Sequence, residues 1–123
     1  MARLSTTGAN DALAGLLVPG TTYNLALFVT DPSTTGASGE VSGGSYARQP
    51  IVFGTPSGGA QQGPTSAVGF TSMPALPSGV SYFGIFTTGG TYLVGGALTG
   101  LNVPLSAGAT VTISINAITA ALA

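Results

Sequence analysis

The chain has 123 residues, 44 % of them hydrophobic and 4 % charged, with a formal net charge of −1. Its charges are Arg3, Asp11, Asp31, Glu40 and Arg48; residues 49–123 carry none, and Lys, His, Cys and Trp are absent throughout. This inventory excludes disulfides and thiolate chemistry, leaves neutral-pH acid–base catalysis without His or Lys, and lacks the clustered cations that nucleic acid requires.

The first predicted element is a short helix. Asn10 and Asp11 precede Ala12 to Leu17, where Leu13, Leu16 and Leu17 recur at helical spacing. Asn10 is the expected N-cap, with Asp11 at the positive helix end, and Pro19-Gly20 ends the element. The segment from Tyr23 to Val29 is apolar on both faces, as in a central strand, and Asp31-Pro32 closes it with an Asx-type turn.

A Gly- and Ser-rich loop leads to a strand over 46–53, where Pro50 predicts an edge or a bulge. Residues 54–64 hold no apolar side chain larger than Ala60 and read as a second long loop. Strands follow at 67–70, 80–86 and 91–94, then shorter ones around Leu98 and Val103. Residues 110–116 alternate strictly, which points Val111, Ile113 and Ile115 to a core. Seven or eight short strands with Gly/Pro punctuation predict an all-β fold, an antiparallel β-sandwich or jelly roll preceded by one short helix. The predicted organisation is an arm and helix over 1–20 and a single sandwich domain over 21–123.

Little in this chain suggests chemistry, and no enzyme, cofactor or metal site is expected. Of the three carboxylates, Asp31 and Glu40 could form the facing pair that a glycosidase needs, but a turn residue and half of an ion pair is the favoured reading. Gly43 to Ala47 loosely matches a nucleophile elbow that has no base. The Gly43-Gly44 turn instead brings Glu40 and Arg48 to opposite sides of one loop, in reach of a bidentate pair. The structural residues are therefore Asp31, Glu40, Gly43, Gly44, Tyr46 and Arg48. Tyr23, Tyr46, Tyr82 and Tyr92 could stack on sugar, yet tyrosine more often packs its ring and leaves its hydroxyl at the rim.

Five charges on roughly 6,000 Å² of surface are far fewer than a solvated domain carries. Sheet edges without lysine need another protection, and burial between subunits supplies it; a homo-oligomer is expected, with assembly insensitive to salt. No apolar run reaches the ~20 residues of a membrane span. The first residues lack the apolar core of a signal peptide, so synthesis in the cytoplasm is expected.

Several segments together resemble a family of small virion proteins of tailed bacteriophages, whose members carry the labels tail fibre or structural protein. The match begins at the short Asn/Asp-Ala-Leu helix leading into 23–28, runs through Thr30-Asp31-Pro32, is strongest over Gly39-Glu40-Val41-Ser42-Gly43-Gly44-Ser45-Tyr46-Ala47-Arg48-Gln49, and resumes at 81–86, 89–93, 97–99 and 107–113. The resemblance implies a structural protein of the virion, made in the host bacterium. Within that class the expectation is a capsid decoration protein, a homotrimer clamping the major capsid protein at local three-fold sites. The alternatives are a small tail or head-fibre component bound to other virion proteins, or a glycan-binding adhesion module. Neither nucleic acid nor membrane is an expected partner.

Overall fold

A computed structural model describes residues 5–32, 36, 38–101 and 103–121. Among these, one helix and eight strands follow in the order α1 (Thr6–Leu16), β1 (Thr22–Phe28), β2 (Gln49–Val52), β3 (Ala60–Gly63), β4 (Val68–Phe70), β5 (Tyr82–Phe86), β6 (Tyr92–Ala97), β7 (Val111–Ile113) and β8 (Ile118–Ala121). The all-β class is as the sequence predicts. The chain divides into two compact units, residues 1–22 with 51–68 and 113–123, and residues 23–50 with 69–112.

In the first unit α1 starts well over one turn earlier than expected, its N-cap at Ser5 rather than Asn10. The Ser5 side-chain oxygen accepts from the Gly8 N–H at 3.0 Å. A serine satisfies one of the orphan amide donors of a first turn as well as asparagine does, which leaves Asn10 inside the helix. The Asn10 side chain is used elsewhere, its Oδ1 accepting from the Gly59 N–H at 2.9 Å. The buried stripe is Ala9, Leu13 and Leu17 at spacings of four, whereas Leu16 is turned outward. This face packs on β3 and β8.

Strand β3 lies within the segment expected to be a loop, and the correction has a clear cause. Its burial alternates without apolar side chains: Gln61 is fully buried and its Nε2 donates to the carbonyls of Leu17 and Gly54. Two otherwise orphaned carbonyls are thereby satisfied. Gly63 is required by packing, since a Cβ there would come within 2.6 Å of the Phe53 ring. β3 pairs antiparallel with β8 from Ala60↔Ala121 to Gly63↔Ile118.

Of a four-stranded sheet of order β2-β1-β5-β6, the second unit holds β1 from Tyr23, all of β5 and β6, and Gln49 and Pro50 of β2. β1 sits inside the sheet, and every residue from Tyr23 to Phe28 except Asn24 is buried, which is why the run is apolar on both faces. β1 and β5 pair antiparallel through Leu25↔Ile85 and Leu27↔Phe83, and β5 pairs with β6 through Phe83↔Gly96 and Ile85↔Val94, with a register shift at Ile85/Phe86. One face carries Ala26, Phe28 and Phe86, with Tyr82 and Tyr92 packed beside them. Leu25, Leu27 and Ile85, of the opposite alternation, are 0 % exposed, each burial being worth about 1.5–3 kcal/mol. β2 is an edge strand and holds Pro50, as expected.

Further expectations are corrected near the end of the chain. Among the described residues no separate strand forms around Leu98 or Val103: Leu98 directly continues β6, its N–H donating to the Ser81 carbonyl, and Val103 lies in a bend and is 52 % exposed. The alternating run 110–116 is broken after Ile113. Asn116 takes a left-handed φ of 58° and the Ala117 N–H donates to the Ser114 carbonyl, a conformation asparagine tolerates. Val111 and Ile113 are buried as predicted, but Ile115 is 59 % exposed. The turn redirects the chain into β8.

Candidate interaction site

After β1, residues Gly39 to Val41 run back beside it. The Val29 N–H donates to Gly39 and the Val41 N–H to Leu27, and Phe28 forms a β-bridge with Glu40. The chain then reverses at Gly43 (φ 102°) and Gly44 (φ 56°). Gly44 is doubly constrained, because a Cβ would also meet the Ser72 carbonyl oxygen at 2.7 Å. The Ser45 N–H donates to that same carbonyl at 3.0 Å. This turn carries Tyr46 and Arg48 back to Glu40.

The result is a closed set of contacts. Arg48 Nε donates to Glu40 Oε2 at 3.0 Å and Nη2 donates to Oε1 at 2.8 Å, the bidentate geometry expected of arginine. The Tyr46 hydroxyl donates to Glu40 Oε2 at 2.9 Å and accepts from the Leu27 N–H at 3.0 Å. Leu27 is thus bonded to the cluster through its amide and to Val41 through its carbonyl. Arg48 Cζ lies 3.7 Å from the centroid of Phe86, inside the range of a cation–π contact. The Tyr46 ring stacks on Phe70 with centroids 5.9 Å apart, and Phe86 meets Tyr92 edge-on at 5.3 Å.

Arg48 and Glu40 remain 32 % and 25 % exposed in their side chains, so the pair is neither freely solvated nor sealed. Burial alone would raise the Glu40 pKa, but the hydrogen bonds from Arg48 and Tyr46, with the Arg48 charge, outweigh it and leave the carboxyl below its usual range. Burial pushes the Tyr46 hydroxyl well above an ordinary tyrosine, helped by the Glu40 contact and opposed by the Leu27 N–H. The hydrogen bond to Glu40 raises Arg48 against the effect of burial, so it stays charged.

Five of the six residues singled out in the sequence, Glu40, Gly43, Gly44, Tyr46 and Arg48, come together here. Asp31 does not join them. It is exposed, and its charge adds to burial in raising the Tyr92 pKa. The Asx-type turn expected after it falls on residues 33–35, outside the described residues. Phe86, Phe70 and the Leu27 amide were not anticipated, because nothing local in the sequence ties them to the loop. The cluster has no free catalytic oxygen: both carboxylate oxygens are held, and the arrangement suits holding a loop and presenting a fixed surface.

The tyrosines considered as sugar platforms are engaged in packing. Tyr23 is buried, Tyr46 is stacked, and Tyr82 and Tyr92 lie against the Phe28–Phe86 cluster. In the first unit a recess of about 520 Å³ is lined by Gly54, Thr55, Ser57, Ala60, Gln62 and Asn116, with no aromatic ring. No helix among the described residues is long and apolar enough to cross a membrane.

The β-strand architecture, the charge-poor composition and the locked loop fit the class of phage structural proteins, and comparison with known families places the chain in that class. It belongs to the family described as Podophage GP4 fiber I protein gp80, whose model matches residues 4–121. No curated protein and no solved structure matches it.

Proposed function

We propose that this protein is a self-associating subunit of a fibre on the phage particle, with no catalytic activity of its own. The family match carries the reading, since it spans nearly the whole chain and the family's description is that of a fibre protein. The absence of charge from residues 49–123 supports self-association, because a surface without charges loses little when a partner removes its water. The Glu40–Tyr46–Arg48 cluster supports a structural role: it fixes the loop that carries it and leaves no reactive group unspent.

The decoration reading, with three copies clamped on the major capsid protein, is the alternative within the virion. Quantitative mass spectrometry of purified particles, with antibody labelling viewed by electron microscopy, tests the choice. A tail-sized copy number with label at the tail is the expected result; a shell-wide copy number with label over the head would overturn the fibre assignment. Assembly is expected to be insensitive to salt. A tenfold weakening between low and high salt would show that electrostatics, screened over ~10 Å at 0.1 M, matters more than apolar burial.

A further inference from the structure

The outer edge of β6 is the feature that self-association leaves to be explained. β6 ends the sheet, and among the described residues no strand pairs with its far side. None of its six residues is buried, although the sequence Tyr-Leu-Val-Gly-Gly-Ala is uncharged and largely apolar. Lysine, proline and inward charge, three of the usual protections of an edge, are missing from it, and its one irregularity, at Leu93 opposite the Ile85/Phe86 step, leaves 94–97 in regular register.

The hydrogen-bond alternation identifies which groups face outward. Leu27 directs its N–H to Tyr46 and its C=O to Val41, away from β5. Its partner Phe83 therefore turns its amide and carbonyl towards β6, where it meets Gly96. By the alternation of an antiparallel ladder, Gly96 and Val94 bond inward, and Gly95 and Ala97 present their N–H and C=O groups outward. The bond from the Leu98 N–H to the Ser81 carbonyl agrees with this parity.

We infer that β6 is a homotypic docking edge, which pairs antiparallel with β6 of a second copy about a two-fold axis through Gly96. Parity confines the axis to a residue, and an axis on Gly96 is the one that pairs the two exposed positions, Gly95 and Ala97, with each other. A symmetric antiparallel pair must place its axis on a residue facing its own copy, and an axis at Gly96 sets Gly95 opposite the partner's Ala97. Both outward residues of each copy are then bonded. Gly96 lies on the axis in a non-hydrogen-bonded pair, where the backbones come closest, about 4.5 Å between Cα atoms, and glycine offers no side chain to obstruct them.

A second copy fits better than a foreign strand on grounds of charge and shape. This edge is neutral, and its own neutral, small-residue counterpart meets it without repulsion, an unpaired charge or a protruding side chain. The inference rests on the self-association reading and adds the edge and the symmetry. It expects an even-numbered assembly.

Sedimentation velocity across micromolar concentrations tests it with the full chain. Ala97→Pro deletes an outward N–H without touching the β5–β6 ladder, a position where an edge strand tolerates proline. With two symmetry-related hydrogen bonds lost, dimerisation is expected to weaken about ten- to hundredfold, while circular dichroism reports an unchanged fold. Ala97→Lys, which adds like charges on both sides, should weaken it as well. Because the chain has no cysteine, Gly96→Cys gives a second readout that tolerates a stability loss. At ~4.5 Å between Cα atoms it lies within disulfide range, so mild oxidation should yield a covalent dimer, whereas Ser57→Cys in the first unit should not. A monomeric wild type would overturn both the inference and the self-association reading. An oligomer that Ala97→Pro leaves intact, and that Gly96→Cys does not cross-link above the Ser57→Cys control, would overturn the β6 edge alone.

Discussion

Replacing Arg48 with alanine removes both hydrogen bonds to Glu40 and the guanidinium over the Phe86 ring. An exposed ion pair contributes about 0–1 kcal/mol, and breaking a buried one costs about 3–5 kcal/mol. With side chains 32 % and 25 % exposed, this pair lies between those limits, and the ring contact adds about 0.5–1 kcal/mol. The expected loss is about 2–3 kcal/mol. A chain of this length converts each kcal/mol into roughly 3–6 °C, so Tm should fall by roughly 6–18 °C.

Thermal and urea unfolding of Arg48→Ala, Glu40→Gln and the double change Arg48→Met with Glu40→Gln isolates the cause. Glu40→Gln leaves a cation that reaches water, so its loss should be smaller, about 1 kcal/mol. The double change removes both charges together and lets a thioether cover Phe86, and it should recover most of the Arg48→Ala deficit. A double variant as unstable as Arg48→Ala would refute the pair as the source. A loss under ~1 kcal/mol for Arg48→Ala would show that water already screens it. Unchanged stability with lost assembly would assign Arg48 to a partner instead.

The pH limbs of stability should follow the same cluster. Glu40 has a lowered pKa in the fold, so its contribution is present above the unfolded value of 4.5 and disappears as pH falls through the folded one; Glu40→Gln should flatten that acid limb in urea midpoints. Tyr46 is raised from 10.0, so its contribution is intact below that value and declines as pH climbs beyond it, a decline absent in Tyr46→Phe. Tyr46→Phe should itself cost about 1–3 kcal/mol, since the Leu27 amide loses its acceptor. Gly44→Ala should destabilise by about 2 kcal/mol or more, adding the Ser72 clash to the left-handed penalty of about 1–2 kcal/mol; Gly58→Ala, at φ 63° in open space, should cost only that penalty, and equal losses would remove the steric argument. Gln61→Ala should cost about 3 kcal/mol or more by orphaning the Leu17 and Gly54 carbonyls, and a loss under ~1 kcal/mol would mean that they find other donors.

What the sequence made legible depended on scarcity and on local pattern. Two opposite charges flanking Gly43-Gly44 could be paired by inspection because so few competitors exist. The run 23–28 announced a central strand, since only a strand buried on both faces has no polar alternation. Phe86 and Phe70 stayed hidden as partners of the loop, because ring contacts across a sheet depend on strand order rather than spacing. β3 was invisible to hydropathy: its buried face is Gln61, and a glutamine that satisfies two carbonyls looks like loop composition until those carbonyls are placed. The strict alternation of 110–116 misled for the opposite reason. Ile115 keeps the period, but Asn116 turns the backbone and sends it outward.

The route of the chain through its two units governs how it can be made. It passes between them after residues 22, 50, 68 and 112, and the first unit joins β3 to β8 and Asn10 to Gly59. On a ribosome, β3 must wait until residues near 121 have left the exit tunnel before its ladder can form. Pairings this distant place the domain among the slower folders. Throughout that interval the nascent chain holds its charge-free strands uncovered and close to other copies emerging from the same message. The aggregation risk thus belongs to synthesis, and it should respond to growth temperature and translation rate more than to any change on the finished surface.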